Sequence, residues 1–99
     1  MIKLKEIRLL SKLTTKQVAE YLELSEAAYN KLENEDKPNE ETLISLSELY
    51  CIPVDELTNL PISQLVVREY GENFSLEQLK NSTKTNREYL SSLRIENSI

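Results

Sequence analysis

Apolar residues recur at helical spacing along this chain. Ile2, Leu4, Ile7 and Leu10 are spaced around a first helix over 2–10, with Lys3, Lys5 and Arg8 largely on its other faces. Thr14 and Gln17 then stand at capping-box spacing, where the hydroxyl accepts from a first-turn amide and the Gln side chain reaches back. A second helix therefore starts near Thr15, with Val18, Ala19 and Leu22 as its inward stripe. Ser25 caps a third helix, whose apolar face is expected to take in Ala27, Ala28, Tyr29 and Leu32. "NEDKPN" reads as a loop, because Pro38 disfavours helix at Lys37. Asn39 caps a fourth helix carrying Leu43, Leu46, Leu49 and Tyr50, and Pro53 opens a short fifth with Val54, Leu57 and Leu60.

The remaining segment, 61–99, predicts three more helices. Ile62, Leu65, Val66 and Tyr70 suit one that ends at Gly71, and Ser75 caps a second containing Leu76 and Leu79. Thr85 and Glu88 stand at capping-box spacing for a third with Tyr89, Leu90 and Leu93. Set against 14–33 at an offset of 61, Ser75 falls under Thr14, Gln78 under Gln17, Leu79 under Val18 and Leu93 under Leu32. That register reads as a second, weaker helix-turn-helix, and "FSLEQLKNSTKTNREYLSSL" also resembles the corresponding half of AraC-type DNA-binding domains.

Composition narrows the function classes. The 99 residues bury one modest core, and one Gly and three Pro leave few turn signals, so the expected class is all-α. There is no His, no Gly-rich phosphate loop and no Gly-flanked serine, so neither catalysis nor a cofactor is expected. Cys51 alone allows no internal disulfide and no ordinary zinc site, which suits a reducing cytoplasm. No apolar run approaches the roughly 18 residues of a membrane span, and "MIKLKEIRLL" lacks a small-residue cleavage site.

Charge changes the picture through its distribution. The net −5 argues against nucleic acid, yet residues 1–16 hold Lys3, Lys5, Arg8, Lys12 and Lys16 against Glu6 alone, a net +4. Residues 17–60 hold two cations against eleven acids, a net −9, and 61–99 balance.

The segment "LTTKQVAEYLELSEAAYNKLENEDKPNEETLISLSELYCIPVDEL" resembles the lambda-repressor/Cro-like helix-turn-helix family, also called XRE, over roughly residues 3–60. Its markers are Leu13-Thr14, Ala19 where two helices press together, Tyr29 and Leu32, Glu33, Pro38, Thr42-Leu43 and the closing "IPVDEL". The resemblance implies a five-helix DNA-binding domain over 1–60, its motif at about 14–33, followed by a helical extension over 61–99 for dimerisation, packing or a second weak motif. In such domains the second helix of the motif enters the major groove while the first crosses the phosphate backbone. Carried over, Ser25, Glu26, Ala27, Asn30 and Lys31 become base-edge candidates, and Thr15, Lys16, Asn34 and Lys37 phosphate candidates. The chemistry agrees: Lys31 can donate to guanine, Glu26 accept from cytosine N4, Ala27 meet a thymine methyl and Asn30 pair with adenine.

Two departures concern the backbone. Glu23 stands where the family often has Gly in the motif's turn, and a left-handed Glu costs on the order of 1 kcal/mol. Cys51 replaces the usual Gly near the end of the fourth helix and is expected to be a small buried apolar group rather than a nucleophile.

The resemblance implies a sequence-specific transcriptional repressor of bacterial, phage or mobile-element origin, bound as a homodimer to palindromic double-stranded DNA. The alternative is an interaction protein, antirepressor-like or antitoxin-like, that keeps the fold but presents its acidic surface to a protein partner.

Overall fold

The computed structural model describes residues 3–35 and 37–97. Among them the chain forms six α-helices: α1 Leu4–Leu10, α2 Thr15–Tyr21, α3 Glu26–Glu35, α4 Glu40–Tyr50, α5 Val54–Asn59 and α6 Leu76–Asn97. Five helices and a helical C-terminal extension are thus present, and Ile2 lies outside the described residues.

Local signals place the helix starts. Thr14 and Gln17 form the reciprocal capping box, with Gln17 N–H donating to Thr14 Oγ1 at 3.2 Å and Thr14 N–H to Gln17 Oε1 at 2.8 Å. Ser25 Oγ accepts from Ala28 N–H at 3.1 Å, and Asn39 Oδ1 from Thr42 N–H at 2.8 Å. Each cap satisfies an amide that the first helical turn would otherwise leave unpaired.

Three helix ends share one device, and it uses no glycine. Lys12, Glu23 and Cys51 take φ values of 64°, 60° and 59° just past α1, α2 and α4. In each case the next residue reaches back five positions: Leu13 N–H to Arg8 O, Leu24 N–H to Ala19 O and Ile52 N–H to Ser47 O. Leu13 and Ile52 are buried, so packing offsets the roughly 1–2 kcal/mol that a left-handed L-residue costs. The left-handed conformation at Glu23 is the one its place in the motif's turn calls for.

The core draws on every helix: Leu4 and Ile7 from α1, Val18 and Ala19 from α2, Tyr29 from α3, Leu46, Leu49 and Tyr50 from α4, Leu57 from α5 and Leu79 from α6. Ala19 is buried where α2 packs against α3, a position at which a larger side chain would separate the helices. Ala27 and Ala28 depart from expectation, since both are exposed and α3 fully buries Tyr29 alone. Only one narrow side of α3 meets the domain.

The C-terminal segment differs most from its sequence reading. Ile62–Gln64 is a single 3-10 turn, and 65–70 is irregular rather than helical. Its amides are drawn to other elements instead of their own preceding turn: Arg68 N–H donates to Tyr50 O, and Tyr70 N–H to Ser11 O at 2.7 Å. Gly71, at φ 137°, supplies a backbone conformation that a side chain would strain. Ser75 then caps α6 through a capping box with Gln78, as its spacing predicts. From Leu76 to Asn97 the helix runs unbroken for 22 residues, so the second helix-turn-helix expected here is not formed. Leu76–Asn97 contains neither Gly nor Pro, and Thr85 and Glu88 lie three apart on one continuous helix rather than at a new helix start.

α6 packs on α4 and α2, and polar groups fix it there. The buried Asn86 amide donates to Glu48 O at 2.8 Å, to the Tyr70 hydroxyl at 3.1 Å and to Leu49 O at 3.3 Å. Its own carbonyl accepts from Arg68 Nη1 at 2.8 Å. One side chain therefore ties α6, the irregular segment and the end of α4 together. Replacing it by Ala leaves these groups short of partners in a buried site. We expect Asn86→Ala to lower unfolding free energy by about 2–3 kcal/mol in urea denaturation.

Candidate nucleic-acid interface

α2 and α3 meet through the turn at Glu23, and their N-termini come together on one side. Thr15 Oγ1, at the start of α2, donates to Glu26 Oε2, at the start of α3, at 3.1 Å. Glu26 therefore sits where the first-turn amides of α3 favour negative charge. Ser25, Glu26, Ala27, Asn30 and Lys31 are all exposed, as are Lys16, Asn34 and Lys37. Thr15 is half-buried and its hydroxyl is engaged by Glu26. Asn34 stands in the last turn of α3 rather than in the loop that follows, whereas Lys37 is in that loop.

The opposite side of α3 holds a buried ion pair. Arg8 of α1 meets Glu33 in a two-pronged contact, Nε to Oε2 at 2.8 Å and Nη2 to Oε1 at 3.2 Å. Its third nitrogen, Nη1, donates to Leu13 O at 3.1 Å. The two side chains keep only 9% and 8% of their surface in water. Tyr29 and Tyr50 lie buried beside the pair, and burial pushes both phenols far above their ordinary range. Neither hydroxyl meets full hydrogen-bonding geometry.

This pair corrects the charge reading of the N-terminal segment. Arg8 faces inward, because Leu4, Ile7, Arg8 and Ser11 form the inward stripe of α1 at i, i+3, i+4 and i+7. The helical period alone marks Arg8 as inward, but its charge suggests the opposite. The cations left exposed in 3–16 are Lys3, Lys5, Lys12 and Lys16, and Lys3 makes only a loose contact with Glu6 at 4.0 Å. Glu33 is neutralised in the same way, so it no longer counts against the outer face of α3.

Gln17 was visible in the sequence only as a cap. In the fold its amide nitrogen also donates to the carbonyls of Gly71 at 3.0 Å, Phe74 at 3.1 Å and Glu72 at 3.3 Å. The first helix of the motif is thereby strapped to the segment that leads into α6. Only long-range contact reveals that role, since the partners are more than fifty residues away.

Cys51 is half-buried, and burial pushes its thiol up despite the nearby Arg68 charge, so it stays protonated near neutral pH. Among the described residues no group of His, Cys, Asp and Glu is placed to hold a metal ion. No described helix is long and apolar enough to cross a membrane.

Residues 4–57, just over half the chain, match the helix-turn-helix family model. The chain belongs to the helix-turn-helix family. It is of the lambda-repressor/Cro-like XRE type, a family of DNA-binding regulatory domains rather than of enzymes. Searches of curated proteins and of solved structures returned no match. In this helix-turn-helix protein α2 and α3 are the two helices of the motif, and the matched span closes within α5.

The Arg8–Glu33 pair generates a stability prediction. Burial pushes the Glu33 carboxyl up, but the Arg8 hydrogen bonds and the charges of Arg8 and Lys5 outweigh it, so the net shift is below the ordinary 4.5. A depressed folded-state pKa gives stability that is present above the ordinary value and lost as pH falls through the folded one. Glu33→Gln, which strands a buried guanidinium, should cost about 3–5 kcal/mol at pH 7. The gap between wild type and variant should narrow as denaturation is repeated below pH 4.5.

Proposed function

We propose that this protein is a sequence-specific transcriptional repressor of bacterial, phage or mobile-element origin. In this reading it acts in the cytoplasm as a homodimer on palindromic operator DNA, and occupancy of a promoter excludes polymerase. Residues 1–60 read the DNA, and 61–99 brace that unit and contribute to pairing. The observation that carries the reading is the division of α3: Tyr29 and Glu33 anchor one side, and the exposed Ser25, Glu26, Ala27, Asn30 and Lys31 share the other.

The roles follow from chemistry. Lys31 and Asn30 offer donors for guanine and adenine edges, Ala27 offers a methyl to thymine, and Ser25 offers a hydroxyl to either. Lys16, Asn34 and Lys37 hold the phosphates, and Thr15 acts mainly by fixing Glu26. Glu26, already holding the Thr15 hydroxyl through Oε2, keeps its other oxygen for a cytosine amine.

Fluorescence anisotropy against duplexes from the region upstream of the gene, at low salt, tests this directly. A specific complex that random duplex fails to displace is expected. Lys16→Ala should weaken all duplexes alike and reduce the salt slope by about 1. Glu26→Gln should alter preference at a single base pair by about 1–3 kcal/mol; a uniform gain on all DNA would instead make Glu26 merely repulsive.

The net −9 of residues 17–60 favours a second reading, a helix-turn-helix interaction protein acting on a protein partner. A stable complex with a basic protein, and no specific DNA complex at low salt, would select it.

A further inference from the structure

A shallow groove of about 320 Å³ runs between the end of α2 and the middle of α6, lined by Tyr21, Lys80, Thr83, Lys84 and Arg87. Thr83 is buried and Tyr21 half-buried, so these two form its floor, and the exposed Lys80, Lys84 and Arg87 stand along its α6 side. The three cations fall at i, i+4 and i+7, on one stripe of the helix with a rise of about 10 Å. Arg87 is held in place by Glu48 of α4, Nε to Oε2 at 2.7 Å, and keeps 58% of its side chain in water. Since Glu48 compensates Arg87, the groove's positive charge comes mainly from Lys80 and Lys84.

We propose that this groove docks an acidic segment of a partner protein, with carboxylates on Lys80 and Lys84 and an apolar side chain against the Tyr21 ring. Charge complementarity selects the occupant. Residues 17–60 carry a net −9, so an acidic segment is repelled by much of the surface and attracted at this groove, and the two effects together fix where it lands. The spread of the cations suits a segment rather than one small anion, because about 10 Å is the length of roughly three residues of extended chain. Tyr21 supplies a rigid ring that an apolar neighbour of the carboxylates can cover. A duplex fits less well. Tyr21 closes α2, whereas Thr15 and Lys16, the proposed phosphate contacts, open it. The docking is thus independent of the DNA reading. Exposed charge pairs contribute little each and are screened by salt, so the complex is weak and strongest at low ionic strength.

One probe, a glutamate-rich peptide with a central Phe, tests the groove in two ways. In NMR of the full chain at low salt, titration should shift the amides of Tyr21 and 80–87 and leave those of 25–31 in place. In anisotropy of the fluorescein-labelled peptide, Lys80→Glu combined with Lys84→Glu should raise Kd about tenfold or more, with wild-type melting retained because both side chains are exposed. Lys3→Glu combined with Lys5→Glu changes the net charge equally and should raise Kd by less than about twofold. Equal losses in the two double variants, shifts centred on another surface, or no binding by wild type overturn the proposal. So do shifts at 80–87 that follow protein concentration without peptide, which would make a second copy the occupant, or that random duplex DNA produces and the peptide does not. Specific operator binding can succeed or fail without changing any of these outcomes.

Discussion

The buried contact between Arg8 and Glu33 joins the first helix to α3, and the placing of α3 depends on it. A buried ion pair adds little net stability, because desolvating two charges offsets their attraction. Its force is directional: two parallel hydrogen bonds and a third to Leu13 O admit one mutual arrangement of α1, α3 and the turn between α1 and α2. Any rotation of α3 that brought Glu33 outward would leave a guanidinium stranded among Tyr29, Tyr50 and the aliphatic core. The exposed face of α3 is thereby held at a fixed angle, as the proposed base reading requires.

A second constraint holds the motif from the other side. Gln17 serves the capping box with its oxygen and the 71–74 carbonyls with its nitrogen, so one amide fixes both the start of α2 and the path into α6. Asn86 does the equivalent for the end of α4. These amides carry no charge and satisfy donors and acceptors together, which suits junctions where several carbonyls converge out of water. The extension is therefore a brace across α2 and α4 more than a separate body.

Acidity and DNA binding also become compatible at this level. Of the glutamates on α3, Glu33 is compensated within the fold and Glu26 is bonded to Thr15. Exposed lysines stand in the N-terminal segment and the α3–α4 loop, so in the proposed function α3 itself need not supply the affinity.

The starts of α2, α3, α4, α5 and α6 and the all-α class could be read from the chain, because caps and apolar stripes are set by residues three or four apart. The same reading failed where partners lie far along the chain. It turned Arg8 outward, since charge outweighs periodicity until a buried Glu33 is known to be waiting. It made 65–70 a helix, because nothing local reports that Tyr50 O and Ser11 O will claim its amides. It split α6 in two, since a capping-box spacing inside an uninterrupted helix looks the same as one at its start. Sequence alone determined where the capped helices α2, α3, α4 and α6 begin; tertiary structure decided that 65–70 does not coil, which charges are buried, how the C-terminal segment crosses the motif, and hence which face of α3 is left exposed.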